Sequence, residues 1–222
     1  LEELIQFFLM VVLISASGAL APGPLLVATM NVSLKAGRYA GFMAAFGHMV
    51  FELPLVIAIS FGIWGFINDP TVSFSIGLIG AIALILFGLL QARSSLKSIS
   101  AGDEAAEKNP QAKQVLRRGG LSAAFLVGLL FTGLNPYFLT WWFTVGLTLI
   151  SEAIKIGAIM GVFLMFIFHI WLDYAWLGAA GYATATGASF LKPRQISILS
   201  LALALAVAVF GVLLLLHTFG LV

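Results

Sequence analysis

The chain has no cysteine, which excludes a disulfide scaffold, thiolate-ligated zinc, iron–sulfur clusters and any thiol–disulfide relay. Charge is almost as scarce. Asp, Glu, Lys and Arg together make up 9 % of the 222 residues, against about 25 % in an ordinary globular domain. Hydrophobic residues make up 61 %, and the mean hydropathy is +1.10. A water-soluble fold needs a polar skin, and so few charges cannot cover a body of 23.6 kDa. Lipid is therefore the solvent of this chain. Also missing are a G-x-S-x-G elbow, a Walker A loop and a Gly-rich nucleotide loop. No enzyme, cofactor or nucleic-acid partner is expected, and any uphill work must draw on an ion gradient or on the solute's own gradient.

What is present is a series of long apolar runs. Six are long enough to cross a bilayer, which takes about 20 helical residues, at 4–30, 38–67, 71–92, 119–149, 155–184 and 196–219. The one extended polar interval, 93–118, holds nine of the twenty charges together with the loop formers Gly102, Asn109 and Pro110. It reads as a solvated linker between two halves, 1–92 and 119–222, of one membrane domain. Ten of the eleven basic residues fall in the loops 31–38, 93–118 and 187–195, which share one side. Lys155 is the exception, on the side that carries Glu2, Glu3, Asp69 and Glu152. The positive-inside rule puts the three basic loops in the cytoplasm and both termini outside. Ala19-Leu20-Ala21 has the form of a signal-peptidase site, but Glu2 and Glu3 stand where such a leader carries Lys or Arg, so the first run is read as a retained span.

The halves repeat each other. Leu20-Ala21-Pro22 matches Leu134-Asn135-Pro136. Gly37-x3-Gly41-x6-His48-x3-Glu52 matches Gly157-x3-Gly161-x7-His169-x3-Asp173, and Ala81-x-Ala83-x3-Phe87-Gly88 matches Ala204-x-Ala206-x3-Phe210-Gly211. The three offsets rise smoothly, as expected for one duplicated unit with small insertions. Three spans per half is an odd number, so the second copy enters the membrane from the opposite side. The expected fold is an all-α polytopic membrane protein of six transmembrane helices in a 3+3 inverted-topology repeat, an arrangement behind many alternating-access carriers.

Two features within that repeat carry chemistry. Spans 1 and 4 are interrupted at corresponding places, by Pro22-Gly23-Pro24 and by Asn135-Pro136. Proline withdraws backbone donors there, which should free the carbonyls of Gly18, Leu20 and Thr132, while Asn135 is a good N-cap for a restarting helix. The restarted half-helices would turn N–H groups toward a carboxylate or other anion, and Tyr137 would stand on the cavity wall. The second feature is the pair His48 with Glu52 and the pair His169 with Asp173. Each pair is four residues apart, on one helix face, and Glu52 is about 21 Å along its helix from Arg38. Acids at that depth are functional candidates. Three roles fit: mutual satisfaction that stitches helices together, proton carriage or ammonium binding by the acids with the histidines tuning them, or a divalent-metal site made by all four side chains. The two Gly-x3-Gly pairs are expected at close helix contacts. Of Trp141, Trp142, Trp171 and Trp176, most are expected in packing or interfacial belts, and no role is expected for His217.

Taken together, Ala21-Pro22-Gly23-Pro24, Ala36-Gly37-Arg38-Tyr39-Ala40-Gly41 leading to Gly47-His48, the Gly80-to-Gly88 pattern, Gly128-to-Leu134-Asn135-Pro136 and Asp173 before an aromatic stretch give a specific resemblance. The chain resembles, nearly end to end, the lysine exporter (LysE/RhtB) superfamily of amino-acid efflux proteins. The resemblance implies plasma-membrane export of amino acids or related small metabolites, driven by the proton motive force. Two departures stand out. The familiar Asn-Pro-Lys reads Asn135-Pro136-Tyr137 here, without the basic residue, and Glu52 is not shared by the common members. Both departures favour a cationic ligand, and related branches export divalent metals. The expectation is therefore a proton-coupled exporter of a small amino acid or similar solute, compatible with a homodimer. Pro22, Gly23, Pro24, Asn135, Pro136 and Tyr137 would hold the substrate's carboxylate end. Glu52 and Asp173, oriented by His48 and His169, would face its ammonium group or carry the proton. A divalent-cation exporter using those four side chains is the alternative.

Overall fold

A computed structural model describes residues 2–21, 23–62, 70–101 and 110–221, with the backbone alone at 70, 72, 73, 76, 101, 110–119, 136 and 193. Among the described residues the chain is entirely helical. Its helices are α1 (Glu2–Ala19), α2 (Pro24–Ala36), α3 (Ala40–Ser60), α4 (Pro70–Ala101), α5 (Pro110–Gly133), α6 (Pro136–Trp141), a π-helical turn (Trp142–Gly146), α7 (Leu147–Ala188) and α8 (Pro193–Thr218). Among the described residues, five stretches are long and apolar enough to cross a membrane: Glu2–Ala19, Ala40–Ser60, Gly77–Ser100, Tyr137–Ala188 and Arg194–Thr218. Gly120–Gly133 is a shorter apolar helix.

Several boundaries differ from those expected. Helix continues through 93–101 and resumes at Pro110, so both ends of the expected loop 93–118 are helical; 102–109, with Gly102 and Asn109, lie outside the described residues. Pro110 opens a helix, where its missing N–H costs nothing. The expected division between spans 4 and 5 is not a loop either. Helix runs on through Glu152 and Lys155, which pair at 2.6 Å, and α7 extends over 42 residues. A straight helix of that length would be about twice as long as the hydrocarbon core is thick. The chain turns at Gly157 (φ −164°, ψ 33°) and Ala158 (φ 47°, ψ −132°) instead. Ala158 is the one non-glycine residue at positive φ among the described residues.

Glycines set the closest helix contacts. A Cβ at Gly47 would collide with the Phe125 carbonyl of α5, and one at Gly128 with the Ala44 carbonyl of α3, so these two helices touch backbone to backbone. Gly41 does the same against Leu177 and Gly178 of α7, as expected. Its partner in the motif, Gly37, packs on nothing and serves a turn at φ 89°; Gly157 likewise serves the turn before Gly161. The long α4 and α8 pack along each other: Gly88 sits on Ala204 and Ala208, and Gly211 sits on Ala81 and Ile85. A buried polar clamp also ties α2 and α4 to α8. Asn31 Nδ2 donates to the Ser200 carbonyl (2.9 Å), Ser200 Oγ donates to Asn31 Oδ1 (3.1 Å), and Ser95 Oγ donates to Ser200 Oγ (3.0 Å).

The contact between α3 and α5 should tolerate no added volume. Gly128→Val is expected to destabilise the purified protein in detergent by about 1–3 kcal/mol through overpacking, measured as a lowered midpoint of thermal unfolding.

Candidate functional site: a buried histidine–carboxylate ring beneath a cavity

The 3.6-residue period stacks His48 over Glu52 on α3 and His169 over Asp173 on α7, and packing of α3 against α7 brings the two pairs together. All four side chains are buried, with exposures of 4, 1, 3 and 6 % in that order. His48 Nε2 lies 3.3 Å from Glu52 Oε2 and 3.6 Å from Asp173 Oδ1. His169 Nε2 lies 3.2 Å from Glu52 Oε1 and 3.5 Å from Asp173 Oδ2. Each histidine therefore faces both acids, and each acid faces both histidines, in a four-membered ring.

Outside the ring, hydroxyls fix the imidazoles. His48 Nδ1 is 2.7 Å from Thr132 Oγ1 on α5, and His169 Nδ1 is 2.8 Å from Ser15 Oγ on α1. Thr132 Oγ1 donates its own proton to the Gly128 carbonyl at 2.6 Å, so toward His48 it accepts, and His48 Nδ1 carries the hydrogen. His48 Nε2 is then left to the acids: it either holds a second proton between two carboxylates or offers a lone pair to a proton on one of them. Glu52 Oε1 accepts from Trp142 Nε1 (3.0 Å) as well as meeting His169. Among the described residues, His48 Nε2, Glu52 Oε2 and Asp173 Oδ2 have no hydrogen bond of good geometry. One ligand atom each from His48, Glu52 and Asp173 lies within 4.8 Å of the others, a set that could hold a metal ion.

The expected interruptions border this ring. Between α1 and α2 the helix stops at Ala19 and restarts at Pro24, with Pro22 itself outside the described residues. Between α5 and α6 it stops at Gly133 and restarts at Pro136, whose side chain is likewise not described. Two of the carbonyls expected to be free are not. Gly18 O accepts from Ala21 N (3.2 Å) and Thr132 O accepts from Asn135 N (3.2 Å), because each helix tightens into a 3₁₀-type last turn. The restarted ends also differ. Asn135 Oδ1 accepts from Tyr137 N (3.1 Å), so α6 is capped by its own side chain. Gly23 offers α2 no side chain for the purpose.

A cavity of about 560 Å³ lies against the ring and both restarts; Gly23, Pro24, His48, Glu52, Asn135, Tyr137, His169 and Asp173 all line it. Tyr137 is 63 % exposed, and its ring stands 5.9 Å from that of His217, for which no role was expected. The tryptophans divide between packing and the cavity wall. Trp142 is fully buried on Glu52, and Trp141 and Trp176 line the cavity, while Trp171 is half-exposed. Glycines make room for two of these indoles: Gly18 lies under Trp141 and Gly146 under Trp142. The Ser15 and Thr132 hydroxyls carry no expectation from the sequence, and Trp142 is expected only in packing or a belt. Ser15 and Thr132 had a signal, being polar residues in apolar runs shortly before each interruption.

Removing the hydroxyl at 132 leaves a buried imidazole N–H without an acceptor, a loss of about 1–3 kcal/mol. Thr132→Val is therefore expected to lower the unfolding midpoint, and Thr132→Ser to restore it. A Val variant as stable as the parent would contradict the hydrogen-bond assignment.

The family model for the LysE type translocator matches residues 16–218, whereas no curated protein and no solved structure matches the chain. That match spans both helical interruptions, both histidine–acid pairs and all but the ends of the chain. With five helices of membrane-crossing length and composition, the protein is a multi-pass membrane transporter acting on small molecules. It belongs to the LysE type translocator family.

Proposed function

We propose that the protein exports an amino acid or similar small metabolite across the plasma membrane in exchange for protons, with the His48–Glu52–His169–Asp173 ring as its working centre. The observation that carries this is the ring itself: two acids and two histidines from helices far apart in sequence converge at the floor of one cavity. Glu52 and Asp173 face the substrate's ammonium group or take up the coupling proton, and His48 and His169 neutralise them in the intervals. The carboxylate end of the substrate lies toward Gly23 and Pro24 and toward Asn135, Pro136 and Tyr137, with Pro22 completing the first interruption. Because Asn135 already caps α6, the start of α2 is the stronger anion position of the two.

The 3+3 inverted repeat is part of this proposal, with 1–92 and 119–222 as its copies and 93–118 as the link. Several reciprocal contacts support it. Gly88 on Ala204 and Ala208 mirrors Gly211 on Ala81 and Ile85 at a constant offset in the repeat. The Gly18–Ala21 backbone bond mirrors the Thr132–Asn135 bond in the same way. Each histidine is held by a hydroxyl from the first span of the other half. A two-fold axis in the membrane plane would pass through the ring and between α4 and α8. With the basic loops cytoplasmic and both termini outside, the Asn31–Ser95–Ser200 clamp closes the cytoplasmic side. Tyr137 and His217 then stand at the outer end of the cavity.

A divalent cation is a second reading, favoured by His48 Nε2, Glu52 Oε2 and Asp173 Oδ2, whose contacts in the ring at 3.3–3.6 Å make no well-formed hydrogen bond. Proteoliposomes separate the two. Uptake of labelled amino acids that rises with an imposed pH gradient is expected, with Glu52→Gln and Asp173→Asn each reducing it at least about tenfold. Transport of manganese, cadmium or nickel with no amino-acid flux would overturn the amino-acid reading.

A further inference from the structure

We infer that the cavity selects solutes with a large apolar side chain and discriminates against those whose side chain carries a charge. The inference rests on the amino-acid reading above and narrows it to a substrate class. Away from the ring and from Ser17, Asn135 and Tyr137 the walls are mostly hydrocarbon: Leu26 of α2, Leu84 of α4, Phe138 of α6, Trp176 of α7, and Phe210 and Leu213 of α8. No lysine or arginine is among the described residues that line it, and Glu52 and Asp173 are the only acids.

Charge matching then decides the class. Both acids already face both histidines at 3.2–3.6 Å. The ring can give one carboxylate to a backbone ammonium group, but the other is kept by the histidines or the coupling proton, which leaves none for a second cation. A side-chain carboxylate would compete for the same two histidines and meet no other cation. In either case a charged side chain would leave water for a wall of leucine and aromatic rings with no countercharge to offset its lost hydration, the indole N–H of Trp176 being a neutral donor. An apolar side chain gains contact with that same wall, and the aromatic rings of Phe138 and Trp176 suit a flat or branched one. At about 560 Å³ the cavity falls within the range of sites that enclose small molecules.

The test is displacement of tritiated phenylalanine from the purified full-length protein, read by scintillation proximity. Competitors are leucine, methionine and tryptophan, then lysine and arginine, then aspartate and glutamate. The apolar set is expected to displace the label at concentrations about tenfold or more below either charged set. Leu213→Glu adds a carboxylate to the α8 wall of the cavity, away from the start of α2, and it should bring lysine up toward the apolar competitors. Lysine, arginine, aspartate or glutamate competing as well as leucine against the parent protein would overturn the class while leaving amino-acid binding intact. Absence of saturable binding by phenylalanine, lysine and glutamate, each tested as its own radioligand, would overturn the amino-acid reading and this inference together.

Discussion

Four ionisable side chains that lipid cannot solvate must solvate one another, and that constraint organises the molecule. Glu52 is 1 % exposed, in a chain with too few charges to spare one for a core. Left alone at that depth its carboxylate would be costly. The ring answers with two imidazoles and an indole N–H on Glu52, and with two hydroxyls that hold the imidazoles from behind. Those partners come from α1, α3, α5, the π-helical turn and α7. One electrostatic requirement thus fixes the mutual position of most of the bundle.

The same arrangement explains the local irregularities around it. The π-helical turn at Trp142–Gly146 carries Trp142 onto Glu52 directly after Trp141, which bonds Ser17 and lines the cavity. Such turns are common beside functional sites. The two helix interruptions end in 3₁₀-type bonds, so backbone polarity is largely satisfied locally and the space beside them is left to the cavity. Backbone-to-backbone contacts at Gly47, Gly128 and Gly41 let α3 approach α5 and α7 closely enough for side chains as short as Asp and Thr to meet the histidines. Flexible long side chains would reach farther but would hold the ring less firmly.

Much of this was legible in the sequence, for identifiable reasons. Hydropathy and length marked the membrane helices because lipid imposes both. The i, i+4 spacing put each histidine over its acid, and repeat alignment pointed to the same depth for both pairs. The helix interruptions were visible because proline leaves a local signature. Other features depended on three-dimensional placement that no local pattern encodes. Trp142 differs from Trp141 only by which way it turns, and the π-helical register decides that. The helical course of 93–101 was hidden by its charges, since a polar helix and a polar loop share a composition.

If the side chains of α3 and α7 form one electrostatic unit, Glu52 and His169 must sense each other, and a double-mutant cycle between them measures that. Reversible unfolding of the parent, Glu52→Gln, His169→Gln and the double variant in mixed micelles gives the coupling energy. The two single losses are expected not to be additive, with a coupling of about 0.5–3 kcal/mol. Additive losses would mean that the two residues do not sense each other, and would contradict the single unit.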